Sequence, residues 1–162
     1  MDFSLVQHYL HASCRRHPGR TALYDGQRRL TYAELGSGAA RLGRQLIRAG
    51  VQPDDRVLVC LDRGALSVLA MVGTLEAGAT YVPVDAKAPA ERWRAVVRDS
   101  GPRAVIVDDR TGPRVREALA DLLEGCTVVH VLADEGLDDG PLEPRTGEHH
   151  SAYVLYTSGS TG

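Results

Sequence analysis

Apolar residues change their spacing several times along this chain, and each change marks an element. Phe3, Val6, Tyr9 and Leu10 recur at helical intervals, which predicts a helix from residue 3 to about 16, ended by Pro18-Gly19. Leu23-Tyr24 and Leu30 flank an Asp25-Gly26 turn and read as a small hairpin. Thr31 with Glu34 three positions on is a capping-box pattern. Tyr32, Leu35, Ala39, Leu42 and Leu46 continue it as an amphipathic helix ended by Gly50. Arg41, Arg44 and Arg48 fall mostly on its other faces and read as a solvated surface.

Past Pro53-Asp54-Asp55 the pattern switches. Val57 to Leu61 is an unbroken apolar run, as expected of a parallel strand covered on both faces. Further strands are predicted at 80–83, with Pro83 as the stop, at 104–107 and at 127–131. A fifth is expected over Ala152 to Tyr156, free to pair elsewhere. Helices alternate with them. One covers 65–77 and ends before Gly78. A second has Pro89 in its first turn, an apolar face of Trp93, Val96 and Val97, and Gly101-Pro102 as its breaker. A third, weaker, covers 113–123. This alternation predicts an α/β fold, a mostly parallel sheet flanked by helices. Residues 133–150 are acidic, carry Gly136, Gly140, Pro141, Pro144 and Gly147, and read as a loop.

Composition narrows this only modestly. The 162 residues suffice for one domain with a core. Nineteen basic and 21 acidic residues give a net charge of −2, which excludes bulk attraction to nucleic acid or an anionic membrane. Cys14, Cys60 and Cys126 are far apart and odd in number, so they read as buried thiols and not as a disulfide framework or zinc site. No stretch of 18 apolar residues occurs, and Met1-Asp-Phe-Ser lacks the character of a secretory leader. The expectation is a soluble cytoplasmic protein.

The candidate chemistry sits at the tip. Thr157, Ser158, Gly159, Ser160, Thr161 and Gly162 follow a predicted strand and offer hydroxyls, backbone donors and two glycines. Such a stretch either wraps phosphate oxygens or is an ordinary Ser/Gly surface loop. It lacks the spacing and the lysine of the common P-loop. Ser158 and Ser160 also lack the flanking glycines of a nucleophile elbow, so covalent catalysis is not assigned to either. His149-His150 read as exposed loop residues without further metal ligands, and Asp108-Asp109 as a turn.

Three stretches together carry a resemblance. Tyr153-Val-Leu-Tyr-Thr-Ser-Gly-Ser-Thr-Gly162 resembles the phosphate-loop signature of adenylate-forming enzymes, in the branch of nonribosomal peptide synthetase adenylation domains. Leu75-Glu-Ala-Gly-Ala-Thr-Tyr-Val-Pro-Val-Asp85 resembles that branch's second core motif, and Leu30-Thr-Tyr-Ala-Glu-Leu35 its first. Gly50 to Val57, Leu61 to Arg63, Pro89 to Arg92 and Asp99 to Gly101 agree in character. The resemblance runs from about residue 6 to 162. The Pro-Val-Asp ending at Asp85 is more similar to peptide synthetases than to coenzyme A ligases.

The resemblance implies a function and an incomplete frame for it. Residues 1–162 would be the first part of the large N-terminal domain of an adenylate-forming enzyme. The rest of that domain and the small C-terminal domain with its lysine would lie beyond Gly162. The implied reaction uses ATP and Mg2+ to activate a carboxylic acid, an amino acid first of all, as an acyl-adenylate. The acyl group then passes to the phosphopantetheine thiol of a carrier protein. Thr157 to Gly162 would bind the ATP phosphates. No catalytic or metal-binding residue is assigned, and residues 1–162 alone are expected to be inactive. The alternatives are a fatty-acyl or aryl-acid ligase with a carrier-protein or coenzyme A acceptor, or a non-catalytic module of the same scaffold.

Overall fold

The computed structural model describes residues 5–132, 138 and 140–157. Helix α1 (Val6–Arg16) precedes an antiparallel hairpin of β1 (Thr21–Tyr24) and β2 (Arg29–Thr31). Helix α2 (Tyr32–Arg48) starts on the predicted capping box. Thr31 Oγ1 accepts the Glu34 N–H at 3.2 Å, and the Glu34 carboxylate accepts the Thr31 N–H at 2.7 Å. Then come β3 (Arg56–Leu61), α3 (Ala65–Glu76), β4 (Thr80–Asp85), α4 (Ala90–Ser100), β5 (Ala104–Val107), α5 (Gly112–Leu119) and β6 (Thr127–His130). The predicted helix over 113–123 is split, because residues 120–122 tighten into a 3-10 turn after α5.

Strands β3 to β6 form a parallel sheet in the order β4-β3-β5-β6. Its two faces explain the unbroken apolar runs. Val57, Val59, Leu61, Ala104 and Ile106 point to one side, into a core shared with Leu35, Leu42, Leu46 and Leu69 of α2 and α3. Leu58, Cys60, Val105 and Val107 point to the other, against Trp93, Val96 and Val97 of α4 and Val115 and Leu119 of α5. A residue of either parity is therefore buried. Trp93 is fully buried and donates its indole N–H to Asp85 O at 2.9 Å. Arg114 lies 4.2 Å from that ring's centroid and bonds Ala86 O and Ala88 O, clamping the turn after β4.

Strand β4 does not stop at Pro83 but runs on to Asp85. Alternate residues of a parallel strand turn both backbone groups to the same neighbour. Thr80 N–H bonds Asp55 O, on the β3 side, while Tyr81 N–H bonds Ala152 O, on the outer side. Pro83 shares the parity of Tyr81. Its missing N–H therefore faces the outer edge, where the ladder with β3 does not need it.

Helices α2 and α3 approach closely at Gly73, where an added Cβ would stand 2.9 Å from Leu42 Cβ. Helix α1 is fastened to α3 by His11 Nε2 and Glu76 Oε1 at 2.6 Å, with the Glu76 side chain buried. That bond raises the His11 pKa above its ordinary 6.5. Cys60 is buried as expected, and burial pushes its thiol up to about 12. Cys14 and Cys126 are only half-buried, a correction to the expectation of three buried thiols. Each lies at the margin of packed elements and not on a sheet strand.

Candidate functional site

The site is reached along the last described segment, residues 140–157, which is pinned by side chains from distant parts of the chain. Arg44 was expected to be solvated. Instead its guanidinium donates to Gly140 O at 2.8 Å and pairs with Asp138 at 3.2 Å, because the acidic loop folds back over α2. Arg145 donates to Ala77 O at 3.1 Å and Val51 O at 3.4 Å, bonding the carbonyls left over beyond α2 and α3. Gly78 ends α3 with φ +79°, and Arg145 Cβ passes 2.9 Å from where a side chain would start. Ser151 is held on both sides. Its N–H bonds Asp54 Oδ1 at 3.1 Å, and its carbonyl accepts Thr80 Oγ1 at 2.9 Å.

From Ala152 the segment is extended and runs parallel to β4. The expected fifth strand over 153–156 is reduced to one bridge, Tyr81 to Tyr153. Tyr81 N–H bonds Ala152 O at 3.2 Å and Val154 N–H bonds Tyr81 O at 3.1 Å. The next rung would need an N–H from Pro83 to Val154 O, and proline has none. The alternation survives even so. Val154 and Tyr156 pack against the α4–α5 core, while Tyr153 and Leu155 are 54% and 60% exposed.

Thr157 is exposed, and its carbonyl accepts Arg92 Nη2 of α4 at 3.2 Å. Just before it, Tyr156 Oη donates to Asp99 Oδ2 of α4 at 2.5 Å. Burial, and then the Asp99 carboxylate, raise the Tyr156 pKa above 10.0. Of the six residues singled out at the tip, the structure thus places Thr157. Ser158, Gly159, Ser160, Thr161 and Gly162 lie outside the described residues.

The parallel direction decides where the tip emerges. Thr157 leaves the sheet on the side of the strands' carboxyl ends, the side on which open α/β sheets bind ligands. The strand order reverses between β3 and β5. At their carboxyl ends Asp62 pairs with Arg110 at 2.6 Å, in a crevice of about 430 Å3 lined also by Asp25, Arg63, Asp85 and Lys87. Three acids and three bases balance there. The pattern of single residues did not signal this crevice, because its members come from four separate turns.

Asp25 also joins the hairpin to α3. Its carboxylate accepts Ala65 N–H at 2.8 Å and the N–H groups of Gln27 and Arg28, which lower its pKa to about 2. Asp108 accepts from Arg110 and Thr111 N–H, as the turn reading expects. His150 is exposed and bonds back to Gly147. Among the described residues no group of three His, Cys, Asp or Glu side chains is arranged to hold a metal ion. Among them, no helix is long and apolar enough to cross a membrane.

A parallel sheet covered on both faces, with Thr157 leaving beside its edge strand, places the chain among the doubly wound α/β domains. The comparisons resolve the class. The sequence model of the AMP-binding enzyme family matches residues 10–162. AMB antimetabolite synthetase AmbB of Pseudomonas aeruginosa is 38% identical over 158 residues, which are 98% of this chain and 12% of that protein. Phosphinothricin tripeptide synthetase PhsC of Streptomyces viridochromogenes is 38% identical over 162 residues, covering 94% of this chain and 14% of its own length. The solved AMPPNP-bound form of the nonribosomal peptide synthetase FmoA3 superposes with a TM-score of 0.86 at 35% identity, over 96% of this chain and 16% of that one. The chain belongs to the AMP-binding enzyme family. Its likeness is to the adenylation domains of nonribosomal peptide synthetases, the branch its three motifs resemble. It spans about an eighth of the length of the two curated relatives described.

Proposed function

We propose that this chain is the first part of the large N-terminal domain of an AMP-forming ligase that activates a carboxylic acid, an amino acid first of all, as its acyl-adenylate. The observation that carries the reading is the parallel bridge between Tyr81 and Tyr153, which sends Thr157 out beyond the carboxyl ends of the sheet. The FmoA3 structures support the choice of nucleotide and substrate class, since one is described as bound to AMPPNP and another to alpha-methyl-L-serine-AMP.

In this reading a substrate carboxylate oxygen bonds to the α-phosphorus of ATP as the bond to the bridging oxygen breaks, and pyrophosphate leaves. A phosphopantetheine thiol on a carrier protein then takes the acyl group and AMP departs. Thr157, Ser158, Ser160 and Thr161 offer hydroxyl donors to the phosphates. Gly159 and Gly162 let the backbone N–H groups come close enough to face the departing charge. Mg2+ would neutralise phosphate charge when bound. No residue of this chain is assigned to hold it, and no step is routed through it.

The test is ATP–pyrophosphate exchange by the complete polypeptide against a panel of amino, aryl and fatty acids. Amino-acid-dependent exchange is expected, and a signal with fatty acids only would overturn the substrate class. Replacing Gly159 and Gly162 together with alanine should slow exchange by about 100-fold or more in a folded protein, the scale of losing aligned donors. An unchanged rate would remove the phosphate assignment. Residues 1–162 alone are expected to show no exchange, because a water-filled half-site lacks preorganisation.

A further inference from the structure

The backbone ladder that guides residues 152–157 along β4 ends at a single rung, since Pro83 has no N–H to offer Val154 O. Something else must set the course of the chain into its Ser/Gly stretch. Two side chains of α4 do so. Asp99 accepts the Tyr156 hydroxyl at 2.5 Å, and Arg92 donates to the Thr157 carbonyl at 3.2 Å. The two lie seven residues apart, two turns of helix, and so share one face of α4. The adjoining face of that helix is locked by Trp93, Val96 and Val97, all buried in the sheet's second core. Helix α4 is thus a rigid bracket with two arms on consecutive residues of the segment.

We propose that Arg92 and Asp99 are positioning residues for the phosphate-binding stretch, acting through Thr157 and Tyr156 and not by touching nucleotide. This rests on the reading of Thr157 to Gly162 as that stretch. Without the arms, only the partial packing of the Tyr156 ring on the second core would restrain Thr157 beyond the last rung at Val154, three residues back. Arg92 has a second effect. Its charge on the Thr157 carbonyl polarises the peptide unit whose N–H belongs to Ser158, which makes that N–H a stronger donor to an anion. Asp99 needs only an acceptor oxygen for its part, whereas Arg92 needs a cation of adequate reach.

The experiment uses the complete polypeptide with Arg92→Ala, Arg92→Lys, Asp99→Ala, Tyr156→Phe and the Asp99→Ala/Tyr156→Phe double variant. Exchange kinetics are read with ATP and acid varied separately, alongside amide hydrogen exchange over residues 152–162 with and without MgATP. Arg92→Ala should raise KM for ATP about 10-fold, the effect of a misplaced binding group, and leave KM for the acid within about twofold. Arg92→Lys should recover part of the loss. The double variant should be no worse than either single one, because all three remove the same bond. Amide exchange over 152–162 should quicken in Arg92→Ala while that of α4 itself stays constant. Unchanged KM for ATP together with unchanged amide exchange would overturn the proposal. So would a proportional fall of every kinetic constant in step with the melting temperature, the mark of a merely structural role. Faster amide exchange in the variant, with no protection of wild-type protein by MgATP, would instead reject the phosphate reading and the positioning role that rests on it, while leaving the tethers themselves standing.

Discussion

The sheet from β3 to β6 and the segment from residue 140 to Thr157 lie side by side but are held by different kinds of bond. In the sheet, continuous backbone ladders join neighbours, and side chains of either parity sink into a core. In the segment there is one rung, at Tyr81 and Tyr153. Further hold comes from Arg44, Arg145, Asp54, Thr80 and Arg92, each reaching a backbone group from another element, from Asp99 on the Tyr156 hydroxyl, and from Val154 and Tyr156 packed on the second core. A ladder tolerates exchange of one apolar residue for another, because every residue brings the same N–H and C=O. A tether depends on one side chain of the right length and charge. The sheet should therefore fail as a unit, and the segment one contact at a time.

Trp93→Ala should produce the largest effect. It empties the second core and releases Asp85 O, and the loss of a buried aromatic side chain is worth about 3–5 kcal/mol. Urea unfolding should show one earlier transition that carries sheet and segment together. Two separated transitions would mean that the segment does not depend on that core.

Arg145→Ala should be milder and local. It strips a charged donor from Val51 O and Ala77 O, worth about 1.5–3 kcal/mol in hydrogen bonds to a charged group. Amide exchange should quicken over residues 140–152 and stay unchanged in β3 and β5. Equal acceleration in the sheet would erase the distinction between the two regions.

The smallest expected effect is a dependence on pH at Asp25, another side-chain tether to backbone, between the hairpin and α3. Its carboxyl is held at about 2 in place of 3.8 by N–H donors that favour the charged form, Ala65 first. Its stabilisation is therefore complete above pH 3.8 and is lost as pH falls toward about 2. Thermal melts of wild type and Asp25→Asn should differ at neutral pH and converge at the acid end of that window. A constant difference across it would show that the carboxylate charge is not what the hairpin uses.

Much of the fold was legible because its signals are local. The Thr31–Glu34 capping box needs only its own four residues, and it stands as read. The run from Val57 to Leu61 already implied a strand buried on both faces, and Trp93, Val96 and Val97 marked the inner side of α4. The errors fell where a neighbour decided. Pro83 breaks a strand in isolation, and only its parity within the sheet shows that its missing N–H faces outward. The same parity then denied residues 153–156 the strand that their alternation suggested. Arg44 sits among solvent-facing positions of α2 until the acidic loop, some 95 positions later in the chain, comes back over it.

The sequence by itself determined the alternation of helices and strands, the two-sided core and the place of the Ser/Gly stretch after the last predicted strand. These follow from periodicity and residue chemistry within short windows, which act before any distant contact exists. Only the tertiary structure decided that Thr157 emerges at the carboxyl ends of the strands, and that Arg92 and Asp99 hold it there. Those facts depend on which groups meet across 57 and 65 residues of chain, and a side chain's reach in space leaves no trace in its spacing along the sequence.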